Sequence, residues 1–269
     1  MTALPLASRA RRAAFVSAMC VGVVTAVTSL AGCGSAEDPD AGTNGVGKLS
    51  APKIQDKSSR LAQAASAVRL SGTVVSKGHT YTLDMRLKGE GGTGSVTSKG
   101  QTFRLLRVGE DLFLKADSRF WTHDDNDDNN NGSGSGSGKG DGTPQKADEA
   151  AAAKLDGKYV KVPKGDPAYE QLSGFTDKDV LLEGMLTLHG ELAKGDRGKS
   201  GALRTIKITG DEGAGGTLSV ALDGKPYPLR LDRGGHAGTL KLTDWNKDFP
   251  LQEPNKSEMV DYGKQLPTS

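Results

Sequence analysis

The segment YTLDMRLK, residues 81–88, decides the fold class of this chain. Its apolar side chains alternate with polar ones, which is typical of a strand with one buried and one solvated face. Similar short runs occur at residues 70–76, 94–98, 102–108, 111–116, 158–162, 202–209, 217–223, 227–232 and 238–243. Tight, glycine-containing turns separate many of these runs. Together they predict an antiparallel sheet that is strongly curved or nearly closed.

A short helix is predicted before the first strand. From Ser58 onward, Leu61, Ala64, Ala65 and Val68 have the spacing of one helical face. This apolar stripe has to cover another apolar surface, and the inner face of the sheet follows directly in the chain.

A second helical region is predicted between the two groups of strands. Asp166 before Pro167 is typical of a helix start. Thr176 and Asp179 have the spacing of a capping box that opens the run VLLEGMLTL, and the alanine-rich KADEAAAAKL predicts a further short helix. The expected fold class is therefore α+β, with helices covering the concave face of the sheet.

The N-terminus has the pattern of an exported lipoprotein. Residues 1–32 contain three arginines and then an apolar run at 13–30. They end in Leu-Ala-Gly directly before Cys33, so that residues 30–33 read LAGC. This motif resembles the lipobox of bacterial lipoproteins, in which the leader is removed before an acylated cysteine. Two acyl chains anchor stably, since each buried methylene contributes about 0.8 kcal/mol. We expect diacylglyceryl-Cys33 on the extracytoplasmic face of the cell membrane; the alternative is an uncleaved anchor helix.

Composition sets the expected domain boundaries. Residues 33–55 lack periodic apolar residues and predict a flexible tether that spans roughly 26 Å, so that the domain stays above the lipid headgroups. A single domain is expected over residues 56–250. Residues 124–146 are expected to be a disordered insertion, and residues 251–269 a C-terminal tail.

Charge and cysteine content exclude several classes of protein. Removal of Arg9, Arg11 and Arg12 with the leader leaves 32 basic and 33 acidic residues, so no nucleic-acid partner is expected. Cys20 and Cys33 both lie in the first 33 residues, which leaves the domain without a disulfide framework or a thiolate metal site.

The motifs for metal binding, dinucleotide binding and catalysis are all incomplete. Residues 127–132 match the first half of a calcium loop, but Gly138 replaces the carboxylate at position twelve. Gly89, Gly91 and Gly94 spell a dinucleotide fingerprint, but a strand follows them instead of a helix. The four histidines are scattered, and no Gly-x-Ser-x-Gly motif occurs. We therefore predict no enzymatic activity, no metal site and no cofactor.

The alternating apolar residues are candidates for the lining of an apolar cavity. If the helices fill the concave face only partly, these side chains surround a ligand site; if they fill it completely, the same residues are an ordinary core. Aromatic residues make up only 5% of the chain, so aliphatic walls favour acyl chains over planar cofactors. The candidates are Tyr81, Leu83, Met85, Leu87, Leu112, Leu114, Leu181, Met185, Ile206, Ile208, Leu218, Val220, Leu222, Leu229 and Leu231.

Several segments resemble the LppX/LprG-type lipoproteins of actinobacteria. The first runs from SSRLAQAASAVRLSG to GEGGTGSV, and the others are EDLFLKADSRFWT, GKYVKVP and YPLRLDRGGHAGTLKLTDWNKDF. The resemblance covers roughly residues 56–250 apart from the insertion. It implies a LolA-like fold, an antiparallel half-barrel closed by helices around an apolar cavity. It also implies binding or transport of lipids in the cell envelope.

Two functions remain open at this point. The first is a membrane-anchored carrier of a lipid or other lipophilic ligand. The second is a non-catalytic envelope scaffold, or an extracytoplasmic sensor domain, that has a solid core and an envelope protein as its partner.

Overall fold

The computed structural model describes residues 38–76, 78–121 and 144–260, with side chains from residue 149 in the last range. The expected leader 1–32, Cys33, the calcium-like loop and most of the insertion lie outside the described residues, as does the end of the tail from residue 261.

Twelve strands within the described ranges form one open, curved sheet, so the predicted fold class is confirmed. The order is β12-β6-β5-β4-β3-β2-β1-β11-β10-β9-β8-β7, and every neighbouring pair is antiparallel except β12 and β6. The strands are β1 (Ala67–Ser76), β2 (His79–Lys88), β3 (Gly91–Ser98), β4 (Gln101–Val108), β5 (Asp111–Ala116), β6 (Tyr159–Val162), β7 (Leu192–Ser200), β8 (Leu203–Gly210), β9 (Thr217–Ala221), β10 (Pro228–Asp232), β11 (Gly238–Thr243) and β12 (Met259–Val260).

Helices pack against the same apolar cluster as the inner side of the sheet. They are α1 (Ala51–Gln63), α2 (Ser118–Trp121), α3 (Pro144–Leu155), α4 (Pro167–Ser173) and α5 (Lys178–Leu186). The backbone of α1 approaches β7, β8 and β10, and α1 also contacts α5. A 3-10 helix at Gly174–Thr176 lies against β2, β3 and β4.

Alternation in β2 builds the centre of the core. Leu83, Met85 and Leu87 are buried, whereas Thr82, Asp84 and Arg86 are exposed. Burial of each large apolar side chain stabilises the fold by about 1.5–3 kcal/mol. Two glycines of the dinucleotide fingerprint serve this packing, because a Cβ at Gly94 would overlap the backbone of Asp84 and one at Gly91 would overlap that of Arg107.

The folded domain begins earlier than the sequence predicts. Helix α1 starts at Ala51, where Pro52 suits the first turn, and it ends at Gln63, so Val68 belongs to β1 instead. Val46 and Ile54 are fully buried. The boundary of the expected tether at residue 55 is therefore wrong, because isolated apolar residues in a polar segment left no periodic signal.

The segment before α1 is also attached to the sheet. Arg197 pairs with Asp40 at 2.8 Å, and the side-chain amide of Asn44 donates to the carbonyls of Ala221 and Gly224, both at 3.0 Å. These bonds fix residues 40–44 against β7 and the end of β9.

Of the two helix starts predicted from the sequence, the cap of α4 is as expected and the cap of α5 is not. Asp166 caps α4 as expected, since its carboxylate accepts the backbone N–H of Ala168 at 2.8 Å. The predicted capping box of Thr176 and Asp179 is wrong. Asp177 caps α5, accepting from the backbone N–H groups of Asp179 (3.1 Å) and Val180 (3.0 Å).

Two strands have no counterpart in the prediction. The sequence of β7, LAKGDRGKS, is polar because this edge strand is largely exposed, and a β-bulge lies between Lys194 and Arg197. Met259 and Val260 of β12 pair with β6. The expected tail from residue 251 is therefore part of the sheet over these two residues.

Candidate functional site

The candidate cavity residues come together, with one exception, on the concave side of the sheet. Twelve of them are at most 9% exposed: Leu83, Met85, Leu87, Leu112, Leu114, Ile206, Ile208, Leu218, Val220, Leu222, Leu229 and Leu231. Tyr81, Leu181 and Met185 are half-buried against the same cluster. Leu229 is buried outside the cluster, because a bulge between Pro228 and Arg230 interrupts the alternation of β10.

The cluster also contains residues that the candidate set omitted. Phe103, Leu105, Leu240 and Leu242 belong to it, and the alternation in their predicted strands could have identified them. By contrast, Ile54 and other isolated residues carry no such signal.

In the described conformation the concave face is closed. Leu182 and Leu186 of α5 and Ile54 of α1 are almost completely inaccessible, and they fill the space above the strands. A hollow of about 180 Å³ lies at the end of α5, where Met185, Leu188 and Leu231 border it.

Polar bonds at both ends join α1 and α5 into an antiparallel pair. At one end the Nζ atom of Lys178 donates to the carbonyl of Gln63 at 2.7 Å and to Asp179 at 2.6 Å. Lys178 is only 4% exposed, and it places a cation at the C-terminus of α1, where the helix dipole favours one. At the other end, the backbone N–H of Leu188 donates to Gln55 Oε1 at 3.2 Å.

The start of α5 is fixed to β4 as well. Arg107 donates to the Thr176 hydroxyl and carbonyl, both at 3.1 Å, and to the Asp177 carboxylate at 3.3 Å. These charge-assisted bonds hold the start of α5 against β4.

The remaining helical cover is attached more loosely. No residue of α4 is fully buried, and Tyr169, Leu172 and Phe175 are half-buried at the edge of the cluster. The Phe175 ring lies 6.0 Å from that of Tyr81. With Leu181, these side chains form a partly solvated apolar seam between helices and sheet.

The outer face of the sheet carries ion pairs. Arg69 pairs with Asp84 at 2.7 Å, and Arg230 pairs with Asp232 at 2.6 Å. The hydrogen bond from Arg69 lowers the pKa of Asp84, and the hydrogen bond from Arg230 lowers the pKa of Asp232. Each carboxylate is paired with an arginine on a solvated surface. Such ion pairs stabilise the sheet and do not form an acid–base pair for catalysis.

The described part of the chain contains no group of three side chains placed to hold a metal ion. Within the same residues, no helix is long and apolar enough to cross a bilayer. The histidines at 79, 189 and 236 are exposed and separate, and the fourth histidine lies outside the described ranges.

Solved structures of other proteins are similar to this chain. LprF from Mycobacterium bovis is 14% identical with a TM-score of 0.46, and the match covers 76% of this chain and 96% of that one. The lipoprotein LppX from Mycobacterium tuberculosis is 15% identical with a TM-score of 0.41, covering 75% and 99%. The similarity is one of fold.

A more distant similarity is to an uncharacterized conserved protein from Thermus thermophilus, at 9% identity and a TM-score of 0.36, covering 78% of this chain and 98% of that one. No family model matches the chain, and no curated protein matches it.

Proposed function

We propose that this protein is an envelope lipoprotein, anchored through diacylglyceryl-Cys33 on the extracytoplasmic face of the cell membrane, that binds a lipophilic molecule between its helical layer and the sheet. The supporting observation is the apolar inner face, to which ten of the described strands contribute side chains. Catalysis forms no part of the proposal.

The chemistry of this face favours acyl chains. Its fully buried members are mostly leucine, isoleucine and valine, with Phe103 and Trp121 at one side. Flexible aliphatic walls adapt to methylene chains, and each methylene transferred from water contributes about 0.8 kcal/mol. A ligand with long acyl chains could thus offset the cost of separating the helices from the sheet.

Binding requires an opening, because the described conformation is closed. The start of α5 is held by Lys178 and Arg107, whereas its far end is joined to α1 through Gln55. We expect the cover to lift at the apolar seam of α4, Phe175 and Leu181, because these side chains are only half-buried. A ligand entering there would meet β2 at Tyr81, against which Phe175 lies.

The decisive experiment is native mass spectrometry of the chain expressed from Gly34 and purified without detergent. This chain keeps the whole core, since all cluster members lie between Val46 and Val260. We expect a lipid adduct that Leu181→Asp abolishes. The matched control is Val180→Asp, since Val180 is 60% exposed and its replacement should leave the adduct in place. The bare protein mass alone, after incubation with lipid vesicles, would contradict lipid binding.

Anchoring has its own test with a matched control. In cells fed an alkyne-labelled fatty acid, Cys33→Ser should abolish labelling, while Cys20→Ser should leave it intact. Equal labelling of both variants would overturn anchoring at Cys33 without affecting the proposal for the core.

The second candidate function is a non-catalytic scaffold or sensor domain, and the closed concave face favours it. Burial of twelve candidate residues to 9% exposure or less is what a solid core requires. This candidate predicts that no lipid co-purifies, and that an envelope protein is recovered by cross-linking to the exposed surface instead.

A further inference from the structure

An open groove of about 770 Å³ lies between the outer face of α1 and the turn that joins β9 to β10. We call this surface the α1 groove. It lies on the side of α1 that faces away from the core, because Ala51, Ile54, Ser58 and Ala62 form the buried stripe of that helix. The groove is lined by Lys53, Asp56, Lys57, Arg60, Leu61, Ala64, Lys225 and Pro226.

The α1 groove combines a basic rim with an apolar floor. Lys53, Lys57 and Arg60 follow one another at helical spacing, and Lys225 faces them from the turn. Asp56 is the single carboxylate of this lining, and it lies 4.0 Å from Arg60. Three lysines thus remain in excess around Leu61, Ala64 and Pro226 at the floor. This charge pattern complements anionic phospholipid headgroups above an acyl region.

The groove lies next to the point where the chain leaves the fold toward Cys33. Asn44 bonds the carbonyl of Gly224, the residue before Lys225. Asp40 is held by Arg197, and the carbonyl of Gly42 accepts from Arg204 at 2.7 Å. The N-terminal segment and the β9–β10 turn are therefore neighbours on one side of the domain.

The length of the tether limits which side can face the bilayer. Asp40 follows Cys33 by seven positions, and even a fully extended chain of this length reaches no more than about 25 Å. A domain of this size is about 40 Å across. If Cys33 is anchored, the surface around Asp40 cannot lie on the side of the domain opposite the membrane, and the α1 groove lies beside that surface.

We infer that the α1 groove is a membrane-docking surface, which binds the anionic phospholipid headgroups of the membrane that carries the anchor. The inference goes beyond the proposed ligand binding in the core, and it rests on the anchoring half of the proposed function for its orientation. Docking through α1 also places the antiparallel α1–α5 pair close to the bilayer.

Vesicle flotation with the chain expressed from Gly34, at low salt, tests the inference without the acyl anchor. We expect binding to vesicles of equal parts phosphatidylglycerol and phosphatidylcholine, and none to phosphatidylcholine alone. The triple variant Lys53→Glu, Lys57→Glu, Lys225→Glu should weaken binding at least about a hundredfold, because each lysine near an anionic surface contributes about a fivefold increase.

A triple variant with the same change in net charge is the control. Lys154→Glu, Lys241→Glu and Lys256→Glu alter exposed residues outside the groove, and they should weaken binding far less. Equal losses in the two triple variants, or equal binding to both kinds of vesicle, would overturn docking through the groove. The groove variant should keep its lipid adduct in native mass spectrometry, so a failure of docking is distinguishable from a failure of lipid binding.

Discussion

The two helices that cover the concave face are attached in different ways. Helix α1 approaches three strands and buries a stripe of side chains along its whole length. Helix α5 has its nearest backbone neighbours in α1 and in the turn Gly174–Thr176, and polar bonds fix its two ends. If the core binds a lipid as proposed, we expect α1 to stay in place and α5 to be the cover that separates from the sheet.

Truncation of the buried side chains tests this difference most strongly. Ile54→Ala and Leu182→Ala should each lower the free energy of unfolding by about 2–5 kcal/mol, because both side chains are fully buried. The loss for Leu182→Ala should lie at the lower end, since α5 can settle into the space. Urea unfolding measures both values; equal losses, or a larger loss for Leu182→Ala, would remove the distinction.

The buried lysine gives the next largest expected effect. Lys178→Ala removes a charge-assisted bond to the end of α1 and should lower the free energy of unfolding by about 1.5–3 kcal/mol. Asp179→Ala removes only the exposed partner and should cost less than about 1 kcal/mol. Hydrogen exchange of the α5 amides should accelerate in Lys178→Ala, and unchanged exchange would show that this bond does not hold the cover.

The two helices also differ in how their N-termini are capped. Asp177→Ala should cost at least about 1 kcal/mol, because it leaves two backbone N–H groups of α5 without their acceptor and also removes the contact with Arg107. The corresponding Ser50→Ala should have little effect, since the Ser50 side chain makes no capping bond to α1. Thermal unfolding compares the two, and Asp177→Asn is expected to restore the part of the loss that is due to capping, but not the charged contact with Arg107.

The smallest effect concerns the chain that leads into α1. Hydrogen bonds from Arg204 lower the pKa of Asp223 below its usual value of 3.8. The stabilising contribution of this carboxylate is therefore present above that value, and it is lost as the pH falls through the lower pKa of the folded state. As the pH falls through this lowered pKa we expect residues 41–44 to loosen, because Arg204 also bonds the carbonyls of Ala41 and Gly42.

Hydrogen exchange of the backbone amides detects this change. Protection of the amides of Thr43 and Asn44, which bond to the carbonyls of Asp40 and Leu222, should fall as the pH is lowered, whereas α1 itself should stay protected. Arg204→Gln should show the loosened segment already at neutral pH. A segment that stays protected in this variant would mean that other contacts hold it.

The sheet was predictable where the alternation is strict. The pattern of β2 indicates both its strand and its buried face, and the same reasoning places the cluster residues of β8 and β9 correctly. The reasoning from alternation fails at Leu229, because the sequence pattern does not indicate the bulge between Pro228 and Arg230. It also misses β7, since an edge strand without a buried face has no reason to alternate.

The candidate site was predictable in composition but not in shape. Alternation identifies which side chains face the helices, but whether space remains between them depends on how closely α1 and α5 pack. The contacts of Lys178 with Gln63 and of Leu188 with Gln55 join segments that are far apart in the chain. The basic face of α1 was visible as sequence, but its neighbour Lys225 becomes apparent only in three dimensions.

The polar edge strand β7 affects how copies of this protein interact when they are close together. An edge offers unpaired N–H and C=O groups to any other sheet, and this is how β proteins assemble into fibres. In β7 the charges of Lys194, Arg197 and Lys199, together with the bulge, oppose such pairing. Pairing of this edge with the sheet of a neighbouring copy is therefore disfavoured.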